Sequence, residues 1–282
     1  MKWLIAADTG CNIYTLNSEV CDFKSVPLTI RVGEKEFIDT QSLNKKMMMD
    51  EVYSYSGKTG SACPSPEAFR EAFDGYNNII LFTITSGLSG SYGSAKIAKD
   101  MELEGHPEKN IEVIDTLSAG PEITLLVEYA QKLIAEGLDF SSVVEKVKAY
   151  QSNTHLGFIL DCLDNLVKNG RVNKLVAATV GVLGIKLVGC ASKKGTLEVT
   201  HKARNFNIAI KKLIADMEEH GFKGGKVNIT HCFNPDGANT IKNEIIKKFQ
   251  SLTDKDILIS PTNGLCSYYA EKGGILVGYT SI

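Results

Sequence analysis

The sequence predicts an α/β protein with an N-terminal three-layer α/β/α domain, built on a parallel sheet, and a smaller C-terminal α+β domain with a mixed sheet. Two observations support this. Apolar runs of strand length alternate with helical patterns along most of the chain, as in parallel sheets covered by helices. The second half carries a hairpin signal, Lys193-Lys194-Gly195, between two strand patterns. With 282 residues, the chain is long enough for two ordinary domains, predicted at 1–152 and 153–282.

The N-terminal half supplies the alternating pattern. Strands are predicted at residues 3–7, 79–84 and 111–114, and helices at 91–101 and 122–135. A further helix begins at Ser65-Pro66, because Ser is a favoured N-cap and Pro a favoured first helical residue. Polar turns follow each strand, at the sheet edge where open α/β sheets bind ligands.

The C-terminal half is predicted to have more strands and fewer crossovers. The predicted strands are 156–160, 185–190, 196–200, 227–230, 257–259 and 275–279. The predicted helices are 206–217 and 238–249. The hairpin between the second and third of these strands makes the sheet mixed or antiparallel.

Composition excludes several classes of protein. The net charge is −2 and there is no run of Lys and Arg, so nucleic acid is not expected as a partner. No apolar stretch approaches the ~20 residues of a membrane span, and the apolar run after Met1-Lys2 is too short for a signal peptide. A cytoplasmic protein is expected.

The seven cysteines are widely spaced, and none forms a C-x-x-C pair. Zinc ribbons and disulfide frameworks need tighter grouping, so free thiols are expected in a reducing compartment. The sequence predicts no metal site and no cofactor.

The most informative segment is residues 85–92, Thr-Ser-Gly-Leu-Ser-Gly-Ser-Tyr, which follows a predicted strand and opens a predicted helix. Glycines let the backbone approach a ligand, and free amides at a helix start attract anions. Hydroxyls add donors. This pattern suits a carboxylate or a phosphate; an N-capped helix with a flexible entry loop explains it equally well.

Other polar segments carry weaker signals. Asp8 and Asp115 each end a predicted strand, and capping of the following turn is favoured over a metal or ligand role. Gly57-Lys58-Thr59 imitates a P-loop, but Val52 stands where the motif needs glycine, so nucleotide binding is rejected. Residues 58–65 are predicted to be a polar loop.

Cysteine chemistry is a rival hypothesis. Cys63 precedes a predicted helix start, where a thiolate is favoured, and Cys266 lies in a predicted turn at 264–267. His201 and His231 are candidate bases, although only the fold can bring a cysteine and a histidine together.

Five segments resemble, in order, motifs of the DegV family of bacterial fatty-acid-binding proteins. They are residues 7–9, 61–65, 85–92, 163–172 and 202–204. Residues 88–92, Leu-Ser-Gly-Ser-Tyr, and residues 169–172, Asn-Gly-Arg-Val, are the most specific of these matches.

The resemblance implies a long-chain fatty acid held between the two domains as a carrier protein's ligand, with no catalytic residues in this chain. It implies that the carboxylate is bound by Ser61, Ser86, Ser89 and Gly90. Three further residues are implied to contact the head group or a partner, which would be a separate ATP-dependent fatty acid kinase: Arg171, Arg204 and Cys266.

The sequence also departs from the family pattern. Ala62 and Cys63 stand where many members have Ser and Gln, and Cys266 stands where many have histidine. These departures weaken the expectation of a kinase partner more than that of lipid binding. Two alternatives therefore stay open: a cysteine-dependent enzyme acting on an acyl compound, and a regulatory protein without a ligand.

Overall fold

A computed structural model describes residues 2–172 and 184–281 of the chain. The strands in these ranges are β1 (Trp3–Asp8), β2 (Asp22–Val26), β3 (Thr29–Val32), β4 (Lys35–Ile38), β5 (Thr59–Ala62), β6 (Asn78–Thr83), β7 (Asn110–Asp115), β8 (Thr154–Leu160), β9 (Lys186–Ala191), β10 (Leu197–Ala203), β11 (Val227–His231), β12 (Ile257–Pro261) and β13 (Ile275–Thr280). The helices are α1 (Lys45–Ser54), α2 (Pro66–Phe73), α3 (Ser91–Gly105), α4 (Pro121–Ala135), α5 (Phe140–Gln151), α6 (Asp164–Lys168), α7 (Phe206–Glu219), α8 (Pro235–Lys248) and α9 (Gly264–Ala270), with a 3₁₀ turn at Asp254–Asp256.

The N-terminal sheet is parallel and has the strand order β2-β1-β6-β7. Side chains of a strand alternate between the two faces of a sheet. Leu4 and Ala6 accordingly pack with α2 and α3, while Ile5 and Ala7 pack with α4 and α5. Helices therefore cover both faces, which confirms the predicted α/β/α architecture.

The C-terminal sheet has six strands in the order β10-β9-β8-β13-β11-β12. Only β11 and β12 pair in parallel, so the sheet is mixed, and the predicted hairpin is formed by β9 and β10. Ile159 on β8 faces the core beneath α7 and α8. Leu156, Phe158 and Leu160 on the same strand face the opposite side, toward the N-terminal part of the chain.

Helix α4 lies between the two sheets and contacts both of them. A Cβ atom on Gly278 of β13 would lie 2.5 Å from the backbone nitrogen of Glu122, so only glycine allows this close approach. The predicted domain boundary at 152/153 falls between the end of α5 and the start of β8. Because α4 packs on both sheets, the division into 1–152 and 153–282 stays a prediction.

Two local predictions are wrong. Residues 58–65 are not simply a loop, because β5 pairs with β3 in a small antiparallel sheet of order β4-β3-β5. Residues 264–267 are not a turn, because they begin helix α9. The carboxylate of Asp39 accepts the backbone N–H groups of Gly264 at 2.7 Å and Leu265 at 2.8 Å. This helix start therefore depends on a residue more than 200 positions away, which no local pattern reveals.

Across the described ranges, no helix is both long and apolar enough to cross a membrane. All seven cysteines are unpaired, as the wide spacing predicted.

Candidate functional site

A cavity of about 290 Å³ lies between the C-terminal ends of the N-terminal strands and the inner face of the C-terminal sheet. Most of its lining is apolar, and this part includes Leu28, Ile84, Leu156, Phe158, Leu160, Leu166, Leu197, Leu265 and Leu276. The volume is close to the lower end of the range of about 300–1,000 Å³ that is usual for ligand pockets. Both halves of the chain contribute to the walls.

Few polar groups line the cavity, and the part of it that they line is called its polar end. They are the hydroxyls of Ser61, Ser89 and Tyr269, the backbone at Gly90 and the guanidinium of Arg171. Cys63 and Gly90 line this end and are also exposed to solvent, so the polar end is the one that reaches the surface. From the sequence, only the family resemblance predicts that these side chains, apart from Tyr269, lie together.

The loop after β6 holds Ser89 in place. The backbone carbonyl oxygen of Thr85 accepts the N–H groups of Leu88 at 3.2 Å and Ser89 at 3.1 Å. The Ser89 hydroxyl oxygen accepts the N–H of Ser91 at 3.2 Å, where α3 begins. Ser89 therefore already has one acceptor site filled, and its hydroxyl hydrogen remains available to a group in the cavity.

Asp8 holds both ends of this loop through hydrogen bonds. Its fully buried carboxylate accepts the backbone N–H groups of Gly10 and Ile84 and the hydroxyl of Ser91. Burial raises the pKa of Asp8 to about 6, against the effect of these hydrogen bonds. Asp8 thus caps its turn, as favoured from the sequence, and also fixes the start of α3.

Asp115 serves a similar purpose at the next strand end. Its Oδ1 atom accepts the N–H groups of Ser86 at 3.0 Å and Leu117 at 3.2 Å. The side chain of Ser86 is exposed and does not belong to the lining of the cavity among the described residues. Of the four residues expected at the carboxylate, the cavity therefore brings together Ser61, Ser89 and Gly90.

Arg171 joins the C-terminal part of the chain to the same loop. Its Nε donates to the carbonyl oxygen of Leu88 at 3.0 Å, and its Nη1 donates to the carbonyl oxygen of Asn169 at 2.6 Å. Arginine carries five N–H donors, so others remain for an anion. Arg204 lies elsewhere: it is exposed just before α7 and is not part of the described cavity lining.

Tyr269 is a lining residue that sequence reasoning missed. Its phenol oxygen lies 2.8 Å from the hydroxyl oxygen of Ser61, and both residues line the cavity. The neighbouring Tyr268 points its phenol at Thr59, also at 2.8 Å. Two adjacent tyrosines in the sequence are more often core residues than ligand contacts. The sequence predicts a turn at 264–267, and the direction of the Tyr269 side chain follows only from the helix that these residues begin.

Cys266 lines the cavity but is fully buried, and its Sγ lies 3.8 Å from the carbonyl oxygen of Gly10. Burial raises the pKa of this thiol far above its ordinary value, so it is a neutral thiol near pH 7. Cys63 is the exposed cysteine at the polar end.

The two candidate bases are engaged elsewhere. His201 contacts Asp216 at 2.7 Å, and Nδ1 of His231 accepts the N–H of Asn234 at 3.2 Å. Within residues 2–172 and 184–281, no cysteine forms a hydrogen bond with a histidine, and no three His, Cys, Asp or Glu side chains are grouped as a metal ion would require.

Comparison with known proteins identifies relatives of this chain. The sequence profile of the DegV family, described as uncharacterised proteins, matches residues 2–281. A DegV domain-containing protein of Streptococcus pyogenes serotype M1 is 47% identical over 282 residues, which cover 99% of each chain.

Two solved structures are also similar over the whole chain. One is the Fatty Acid Kinase B3 protein of Streptococcus pneumoniae loaded with linoleic acid, with 44% identity, a TM-score of 0.97 and 100% of both chains covered. The other is a DegV family protein of Eubacterium eligens loaded with heptadecanoic acid, with 38% identity and a TM-score of 0.95, covering 99% of this chain and 100% of that one.

Proposed function

This chain belongs to the DegV family, and we propose that it is a cytoplasmic carrier that binds one long-chain fatty acid in the cavity. The tail lies along the apolar walls, and the carboxylate lies at the end lined by Ser61, Ser89, Gly90 and Arg171. The chain turns over no substrate itself.

The observation that carries this proposal is that the polar end offers hydrogen-bond donors to an otherwise apolar cavity. Ser61 and Tyr269 form a hydroxyl pair, which uses one of their two hydrogens and leaves the other free. Ser89 and Arg171 keep further donors, as described above. An ionised carboxylate is an acceptor only, so a fatty acid matches both ends of this cavity.

The apolar walls favour a long tail. Each methylene group removed from water contributes about 0.8 kcal/mol, whereas one hydrogen bond contributes about 1 kcal/mol. A long chain therefore tolerates the loss of the family histidine at Cys266. The fatty acids held by the two similar structures, linoleic and heptadecanoic acid, support the same assignment.

The name of the Streptococcus pneumoniae relative supports a partner as well. We infer that this chain presents the carboxylate to a separate ATP-dependent fatty acid kinase. The solvent-exposed polar end, at Cys63 and Gly90, is where the carboxylate would be reached. No cofactor is needed for carriage of this kind.

Native mass spectrometry of the purified chain, followed by denaturation and lipid analysis, tests the proposal. We expect one fatty acid per chain. After delipidation, Ser89→Ala should weaken palmitate binding by about one to two orders of magnitude, because a hydrogen bond to a charged group contributes about 1.5–3 kcal/mol. Ser141→Ala, on the exposed face of α5, is the matched control and should bind as the wild type does.

A chain that arrives empty and takes up neither palmitate nor linoleate after delipidation would overturn the proposal. The same holds if the bound lipid carries no carboxylate, because the donors at the polar end would then lack their acceptor. Equal palmitate affinity in Ser89→Ala and Ser141→Ala would remove Ser89 from the head-group site while leaving the carrier function intact.

A further inference from the structure

Tyr269 and Ser61 form a hydroxyl pair at the polar end of the cavity, with their oxygens 2.8 Å apart. We propose that Tyr269 is a positioning residue, whose phenol orients the Ser61 hydroxyl so that the cavity prefers an ionised fatty acid over a neutral lipid of the same length. This inference rests on the proposed function.

The ring of Tyr269 packs against that of its neighbour Tyr268. The contact is edge-on, with ring centroids 4.8 Å apart and an interplanar angle of 71°. The Tyr268 side chain is fully buried, and its own phenol oxygen lies 2.8 Å from both Thr59 Oγ1 and Asn169 Nδ2. Tyr269 therefore rests on a neighbour that is itself fixed on two sides.

Strand β5 places the matching hydroxyls. Thr59 and Ser61 are two residues apart, so their side chains leave the strand on the same face. That face lies toward α9, where Tyr268 and Tyr269 follow each other. The two tyrosines thus contact alternate residues of one strand, but only the Tyr269 and Ser61 pair lies on the cavity.

The number of hydrogens explains the preference. Each hydroxyl has one hydrogen, and the bond between the two oxygens uses one of the two. When Tyr269 donates to Ser61, the Ser61 hydrogen is directed away from the phenol and into the cavity. A donor that is itself hydrogen-bonded is polarised and binds an acceptor more strongly. A carboxylate oxygen gains most from this, and an alcohol oxygen gains less.

A purely structural role for Tyr269, as a clasp between β5 and α9, makes different predictions. It would affect thermal stability, and it would change the binding of every lipid by the same factor. A positioning role acts through Ser61 and depends on the charge of the head group. The two roles are therefore separable by measurement.

The experiment compares wild type, Tyr269→Phe, Ser61→Ala and the double variant after delipidation, with palmitate and 1-hexadecanol as probes. Tyr269→Phe keeps the ring and its packing and removes one hydroxyl. We expect three- to tenfold weaker palmitate binding and a clearly smaller loss of hexadecanol binding. In the Ser61→Ala background, Tyr269→Phe should have little further effect, as expected for a coupled pair.

Tyr129→Phe is the matched control, because Tyr129 stacks on Tyr150 at 4.0 Å, outside the cavity lining. Its palmitate affinity should equal that of the wild type. The inference is overturned if Tyr269→Phe leaves palmitate binding unchanged, weakens both lipids equally, or has its full effect in the Ser61→Ala background. If the wild-type chain binds no palmitate, the proposed function fails, and this inference fails with it.

Discussion

Arg171 Nε donates a hydrogen bond to the backbone carbonyl oxygen of Leu88 at 3.0 Å, and this bond ties the segment after α6 to the loop that carries Ser89. The two residues are 83 positions apart in the sequence and belong to different halves of the chain. The same guanidinium also donates to the carbonyl oxygen of Asn169. Arg171 therefore shapes the polar end of the cavity as well as lining it.

We expect Arg171→Met to weaken palmitate binding about tenfold or more. Methionine keeps much of the side-chain length but removes all five donors and the positive charge. Titration of delipidated protein with palmitate measures the effect. Arg31→Met is the control, because the Arg31 guanidinium pairs with Glu36 at the solvent-exposed side of β3 and β4.

Unchanged palmitate affinity in Arg171→Met would show that Arg171 only hydrogen-bonds the loop and does not contact the carboxylate. If palmitate binding is weakened, a thermal melt of both variants separates a lost contact with the ligand from a folding defect. We expect similar melting temperatures, because Arg171 replaces water at two backbone oxygens and pairs with no buried carboxylate among the described residues.

Glu122 gives a pH-dependent prediction that does not depend on any ligand. Its side chain is buried between α4 and the C-terminal sheet, where it accepts hydrogen bonds from Ser118 and Thr154. Burial raises the pKa of Glu122 from 4.5 to about 7. The folded chain therefore binds more protons than the unfolded chain between these pH values, and its stability falls as the pH rises through them.

Glu122→Gln removes this titration. Relative to wild type, the free energy of unfolding of the variant should rise by about 3 kcal/mol between about pH 4 and pH 8, since each pKa unit corresponds to about 1.4 kcal/mol. Urea unfolding at several pH values measures it. The exposed Glu136→Gln variant should follow the wild-type curve. If the free energy of unfolding varies with pH in the same way for Glu122→Gln and wild type, burial does not raise the pKa of Glu122.

The regular part of the fold could be predicted from the sequence because its strands are buried and its helices amphipathic. β6 is buried along its whole length, and an apolar run of that kind is visible without any tertiary information. β4 and β5 are four residues long and partly exposed, so they have no such run. Helix α9 depends on Asp39, which the chain brings to it from a distant segment.

The site shows the same limit. Ser89 and Gly90 lie in a loop whose glycines and hydroxyls signal anion binding, so local chemistry reveals them. Tyr269 is identified only by its position beside Ser61, which depends on how α9 packs on β5. The apolar lining residues have no signal at all, because a residue such as Phe158 looks like any core residue until the cavity beside it is seen.

Arg204 tests the proposed kinase partner separately from lipid binding. The side chain is exposed at the start of α7 and lies outside the described cavity lining. Charged groups at the rim of an interface mainly affect association rates. With palmitate bound and ATP and the fatty acid kinase of Streptococcus pneumoniae added, phosphoryl transfer from ATP to the carboxylate, which releases ADP, should be severalfold slower in Arg204→Ala at low kinase concentration. Its palmitate affinity should match that of wild type.

Lys132→Ala, on the exposed side of α4, is the control for a general loss of positive charge. Equal rates for wild type and Arg204→Ala would place the kinase contact elsewhere. A loss of palmitate affinity in Arg204→Ala would instead return this residue to the head-group site implied by the family resemblance.

Cys63 provides a direct report on where the head group lies. It is the exposed thiol, and it lines the polar end of the cavity. Cys162 is only partly buried, yet burial raises its pKa to about 12, so it should react slowly. Labelling with a thiol-specific disulfide reagent near pH 8 should therefore show one fast phase, and Cys63→Ser should abolish it.

Palmitate should slow this fast phase in proportion to its occupancy, because a carboxylate beside Ser61 and Ser89 blocks access to the thiol. A fast phase that palmitate leaves unchanged would mean that the carboxylate does not lie at this end of the cavity.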